Sequence, residues 1–182
     1  QAIERGADIL MLPMFRKLDD IFLFLDLVAE RAQVDLLVET KDALIAITGF
    51  LGDSRVNSIH FGLNDLSMEL GYDSMFRVIA EGDLDVAVNH LHEQSVRYGF
   101  GGVGHIHASP ISGSSILAQH VRLGSTQVIL SRSFLSALDA SCVQSLKLSA
   151  TKEFNEITNC IQYWIDSDYK TIYDEKLVFQ NT

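Results

Sequence analysis

Two acidic residues carry the clearest chemical signal in this sequence. Glu39 follows the apolar run VDLLV (34–38), and Asp65 follows VNSIHFGL (56–63), each where a buried strand is expected to end. Removing an unpaired carboxylate from water is costly, so acids at the tips of successive strands call for a compensating charge. A shared cation is the economical compensation. Two sets of carboxylate oxygens suit a hard divalent ion, Mg²⁺ first, with Mn²⁺ or Co²⁺ as alternatives. The plainer alternative is that both are ordinary strand-end acids, one of them capping a helix.

Other polar and turn-forming residues fall at equivalent places. Pro13, Asn64, His105 and Arg132 also sit at or just after the C-terminal end of an expected strand. In α/β sheets and (β/α)₈ barrels that edge is where ligands bind, so the recurrence points to one shared site. Arg132 suits either an acidic substrate group or an acid on the rim. Lys41, early in an expected helix, reads as a solvated or ion-paired side chain rather than a Schiff-base former. The side chains of His105 and His107 point opposite ways on an extended chain. His105 is therefore read as a supporting or substrate contact and His107 as a loop residue. His90 and His92 are expected on the exposed side of a helix, and His120 on a helix away from the site. The glycines at 99, 101, 102 and 104 lack the following lysine and the spacing of a nucleotide-binding loop.

The elements that would position these residues alternate. Short buried strands are expected over Asp8–Met14, Val34–Val38, Val56–Gly62, Tyr98–Gly102 and Thr126–Ser131. The first, second and fifth are nearly continuous apolar runs, the pattern of a parallel sheet covered on both faces. Helices are expected over Lys17–Arg31, with a stripe of Leu18, Ile21, Phe22, Leu25 and Val28, and over Asp42–Phe50 and Leu84–Arg97. A further helix spans Ser115–Arg122, with Ser114 as its N-cap. Strand and helix alternating through short loops imply right-handed parallel crossovers. After residue 135 the pattern becomes wholly helical, over Phe134–Leu146 and Thr151–Ile165. Phe154, Ile157, Ile161 and Trp164 form a stripe on the last helix that needs a surface to lie on. One domain over 1–182 is expected.

Composition narrows the function classes. The chain has 182 residues, 47% hydrophobic and 21% charged, with two prolines. That suits one sizeable globular core. A net charge of −10 argues against nucleic acid and anionic membrane surfaces as partners. The longest apolar stretch, IFLFLDLVA, is too short to cross a bilayer and is interrupted by Asp26. Cys142 and Cys160 show no metal-ligand or disulfide spacing, so a reduced pair and a cytoplasmic location are expected. The opening QAIERGADILML reads as a helix end running into a strand, the mark of a fragment or processed form.

Taken together, GADILMLPMF, LLVETKDAL, IHFGLNDLSMELG, GFGGVGHI and LGSTQVILSRSF resemble the HpcH/HpaI aldolase and citrate-lyase-like family of phosphoenolpyruvate/pyruvate-type barrels. The resemblance covers residues 2–135. It implies an α/β fold in which the five strands are the fourth to eighth of a TIM barrel, followed by a helical tail over 136–182. The three leading βα units would be absent. It further implies that Glu39 and Asp65 hold a divalent metal. A 2-oxo acid such as pyruvate would chelate that metal, with its carboxylate received by backbone N–H groups at Asn64 and Asp65, and Gly62 would allow close approach. The implied reaction is class II type aldolase chemistry, making or breaking a C–C bond through a metal-stabilised enolate. The family's substrate-binding Arg and proton-transferring His lie on early strands and have no counterpart here, so catalytic residues stay unassigned. Cleavage of a CoA thioester, as in citryl- or malyl-CoA lyases, is a second reading. A non-catalytic structural or interaction protein derived from the barrel is a third. Family habit and the amphipathic last helix point to a homo-oligomer.

Overall fold

The computed structural model describes residues 1–107, 111–136 and 138–181. Strand and helix alternate from the start: β1 (Ile9–Leu12), α1 (Leu18–Val28), β2 (Gln33–Val38), α2 (Lys41–Ile47), β3 (Val56–Phe61), α3 (Leu63–Leu70), α4 (Arg77–Ala80), α5 (Asp85–Glu93), β4 (Tyr98–Val103), α6 (Gly113–Arg122), β5 (Gln127–Leu130), α7 (Arg132–Ser136), α8 (Val143–Asp166) and α9 (Tyr169–Asp174). The strands are hydrogen-bonded in chain order, and the pairings β1–β2, β2–β3 and β3–β4 are parallel. This arrangement fits consecutive βα units of a partial barrel-like fold. The chain divides into two compact units, Gln1–Phe100 and Gly101–Thr182.

In the first unit the strand alternation sorts core from site. Val34, Leu36 and Val38 of β2 are fully buried, and Leu36 and Val38 pair with the equally buried Ile59 and Phe61 of β3. α1 covers this face with Ile21, Leu25 and Val28. Phe22, expected in that stripe, is 42% exposed because it lies a full residue's rotation off the line of those three. The opposite face of β2 carries Asp35 and Leu37, paired with Ser58 and His60, and continues to Glu39. Asp35 is satisfied there by the Asn57 amide and the Ser58 hydroxyl, each at 2.7 Å. On β1, Ile9 and Met11 are 48% and 40% exposed, so this strand lacks the two-sided cover its apolar run implied. His90, expected to be exposed, is half-buried with its Nε2 2.6 Å from the Phe50 carbonyl.

In the second unit α6 packs on α8 and α9 and buries nearly every face. Its N-cap is Ser112, whose Oγ accepts from the Ser115 N–H at 3.0 Å. Ser114, expected to cap, instead accepts from Trp164 Nε1 at 3.1 Å and from the Cys160 thiol at 3.2 Å. Its hydroxyl thus serves as an anchor for α8. Gly113 is required by space, since a Cβ there would lie 2.7 Å from the His105 carbonyl oxygen. The helix expected over 134–146 does not form as one piece. Residues 138–142 are non-helical, Ala137 lies outside the described residues, and Cys142 caps α8 by accepting from the Ser145 N–H. α8 then runs unbroken through the expected 151–165 segment, burying Ile157 and Trp164 while Phe154 stays 52% exposed.

His60 makes the first unit's stability pH-dependent. Burial lowers its pKa to about 4, against a smaller opposing pull from Asp35. The unfolded chain takes up a proton near the ordinary histidine value, whereas the folded chain declines it until lower pH. Stability is therefore complete above that value and is lost as pH falls toward about 4. The loss is on the order of 3 kcal/mol. Urea unfolding at stepped pH should show this slope in the wild type, and the slope should flatten in His60→Phe.

Candidate functional site

The first unit brings its strand tips together through Thr40. This residue is fully buried and caps α2 by accepting from the Ala43 N–H at 3.0 Å. Its hydroxyl donates to the Phe15 carbonyl, also at 3.0 Å, which ties the loop after β1 to the end of β2. That loop turns at Met14, whose φ of 53° is unusual for a residue with a side chain. The Met14 backbone N–H is thereby aimed at the Glu39 carboxylate.

Gly62 sets the position of Glu39. One step beyond the pairs Leu37–His60 and Val38–Phe61, the chain brings residues 39 and 62 side by side, and the Gly62 N–H donates to the Val38 carbonyl at 2.9 Å. A Cβ on Gly62 would lie 2.6 Å from Glu39 Cγ and 3.1 Å from Oε1. With φ at −84°, the glycine is needed for space and not for backbone freedom. α3 begins directly afterwards and places Asn64 and Asp65 in its first turn, where backbone N–H groups have no intrahelical acceptor.

Glu39 and Asp65 consequently face each other within hydrogen-bonding range. Burial first, and then the charge of Asp65, push the Glu39 carboxyl above its ordinary value, while the Met14 N–H partly offsets them. Among the described residues, no Lys, Arg or His pairs with Glu39. The two acids line a cleft of about 500 Å³ with Met14, Met68 and Glu69. A somewhat larger hollow, about 600 Å³, lies at the opposite ends of the strands around Asp8, Gln33 and Ser54. There Arg55 is held by Asp53 and Asp26, and Arg31 by the carbonyls closing α1, so both cations of that hollow are already paired.

Two mutually repelling, half-buried carboxylates suit a cation that needs few protein ligands. Among the described residues no group of three or more His, Cys, Asp or Glu side chains forms a closed cage. Mg²⁺ would ask for no more than one or two carboxylates, with waters completing its shell. Pro13 is exposed directly after β1, and Asn64 is exposed at the start of α3. Lys41 opens α2 as an exposed residue. Arg132 is exposed at the start of α7 in the second unit. His105, also in the second unit, lies with Nδ1 3.6 Å from Glu153 Oε2 of α8. Met14, Met68 and Glu69 were not anticipated.

No family model and no curated protein matches this sequence. Solved structures do. RipC from Yersinia pestis superposes with a TM-score of 0.58 at 12% identity, over 94% of this chain and 70% of that one. An HpcH/HpaI aldolase/citrate lyase family protein from Burkholderia cenocepacia J2315 gives 0.59 at 14%, over 87% and 67%. CitE from Mycobacterium tuberculosis, in complex with magnesium and pyruvate, gives 0.54 at 14%, over 81% and 64%. The likeness is one of fold. The chain spans about two thirds of the length of each of these proteins.

Two substitutions test the geometry. Glu39→Gln removes a charge that the folded chain holds at a cost, and that cost grows as pH rises through the elevated pKa. The metal-free variant should therefore melt above the wild type at neutral pH, while losing any stabilisation by Mg²⁺. Gly62→Ala should displace the Glu39 side chain and weaken Mn²⁺ binding at least tenfold, about the effect of misplacing a ligand, as read by calorimetry.

Proposed function

We propose that this chain carries the metal-binding part of a lyase that acts on a 2-oxo acid, pyruvate or a close relative, with Glu39 and Asp65 as the protein ligands of Mg²⁺. The observation that carries the reading is the Glu39–Asp65 pair, in which burial and the neighbouring Asp65 raise the pKa of Glu39 and no protein cation stands at the Glu39 side. Its support from outside the chain is the fold shared with CitE, whose structure contains magnesium and pyruvate. A divalent ion bound there would polarise the substrate carbonyl and acidify the adjacent carbon.

The chain's own groups divide the remaining work. The first-turn N–H groups of α3 at Asn64 and Asp65 point out of a helix N-terminus, a favourable place for a substrate carboxylate. Gly62 leaves Glu39 room to reach the cation. The Met14 N–H holds Glu39 in its ionised orientation, and Thr40 fixes the two loops from which Met14 and Glu39 project. Met14 and Met68 supply apolar walls to the cleft. The forming or breaking of the C–C bond calls for a proton-transferring group that this reading does not assign.

The test needs no turnover. Mn²⁺ bound to the chain should broaden the methyl proton resonance of added pyruvate, and Glu39→Gln and Asp65→Asn should each abolish the broadening. Equal broadening in wild type and both variants, or none in the wild type, overturns the reading.

A further inference from the structure

Arg16 stands beside this cleft and takes no part in the chemistry described so far. Its Nη1 lies 3.0 Å from Asp42 Oδ2 and its Nη2 3.0 Å from Glu69 Oε1. One guanidinium thus joins the loop after β1 to the first turn of α2 and to α3. The first carries Met14, the second begins two residues after Glu39, and the third carries Asp65. The arginine's own backbone is held as well: its N–H donates to Asp20 Oδ2 at 3.0 Å, and the preceding Phe15 carbonyl accepts from Thr40. A single exposed ion pair would hold little. A planar fork bridging two acids on a tethered backbone is better organised.

The partner that matters is Glu69. It lies one helical turn beyond Asp65 on the same side of α3 and lines the same cleft. Without Arg16 it would keep only the long 3.5 Å contact of Oε2 with the Lys41 N–H, and could turn as a third carboxylate into the cleft it lines with Glu39 and Asp65. Extra carboxylates tighten the binding of hard cations. They also consume coordination positions and cancel the positive charge that an anionic substrate needs.

We infer that Arg16 is a positioning residue that clamps Glu69 against the cleft wall, keeping the cation site a two-carboxylate site that still accepts an anionic 2-oxo acid. The inference rests on the metal reading above. It makes two binding constants move in opposite directions, which simple loss of structure does not do.

Calorimetry with Mn²⁺, and then with oxalate on the Mn²⁺-loaded chain, tests it in the wild type, Arg16→Ala, Glu69→Gln and the double variant. Arg16→Ala should bind Mn²⁺ about five- to tenfold tighter and oxalate weaker by a similar factor. Glu69→Gln alone should stay within about twofold of wild type for Mn²⁺, and the double variant should return to that range, because the two changes act through one contact. If both constants for Arg16→Ala stay within twofold of wild type, the inference fails while the metal reading stands. It also fails if the double variant keeps the Arg16→Ala shift, or if Glu69→Gln alone lowers Mn²⁺ affinity as a lost ligand would. Absence of Mn²⁺ binding by the wild type overturns the metal reading and this inference with it.

Discussion

The repulsion between Glu39 and Asp65 is the constraint around which the first unit is organised. Two carboxylates in a half-buried cleft destabilise the fold unless protons or a cation neutralise them, and burial makes the ionised form of Glu39 costlier still. Everything nearby resists the obvious relaxation, in which the two side chains swing apart. Thr40 ties the base of one to the loop after β1, and the first turn of α3 carries the other. Holding like charges together in this way stores free energy that a neutralising cation would release under the proposed function. Sites of this kind trade stability for function.

The remainder of the unit shows how the same strand treats acids differently according to position. Asp35, two pairs earlier on the same face of β2, receives two short hydrogen bonds from Asn57 and Ser58. Asp35 is thereby satisfied within the protein, whereas Glu39 is not. The contrast between a satisfied acid and an unsatisfied one sets Glu39 apart more clearly than burial alone. The left-handed backbone at Met14 belongs to the same picture, because strained conformations persist where surrounding contacts over-determine them and cluster at functional sites.

Much of this was legible in the sequence, for reasons that can be named. The strands were found because runs such as VDLLV have no competing period, and Glu39 and Asp65 stood out as charges ending them. The expected Val34–Val38 and Val56–Gly62 differ from β2 and β3 by a single residue each. Where the reading failed, the deciding contacts were distant in the chain. Ser114 has the composition of a cap, but Trp164 and Cys160, some fifty residues on, claim its hydroxyl. α3 was not anticipated, because it follows β3 directly and its start at Gly62 has no capping side chain. His90 was misplaced because its partner, the Phe50 carbonyl, lies forty residues upstream. The Arg16–Glu69 contact, spanning three elements, leaves no periodic trace at all.

The contact between Gly62 and Glu39 has a consequence for how this sequence can vary. The two positions occupy one shared volume, with the missing methyl group of the first filled by the methylenes of the second. A variant bearing alanine at 62 would be compatible only with a shorter acid at 39, so aspartate there and alanine beside it should arise together or not at all. Side-chain length at one strand tip is thereby bound to bulk at its neighbour.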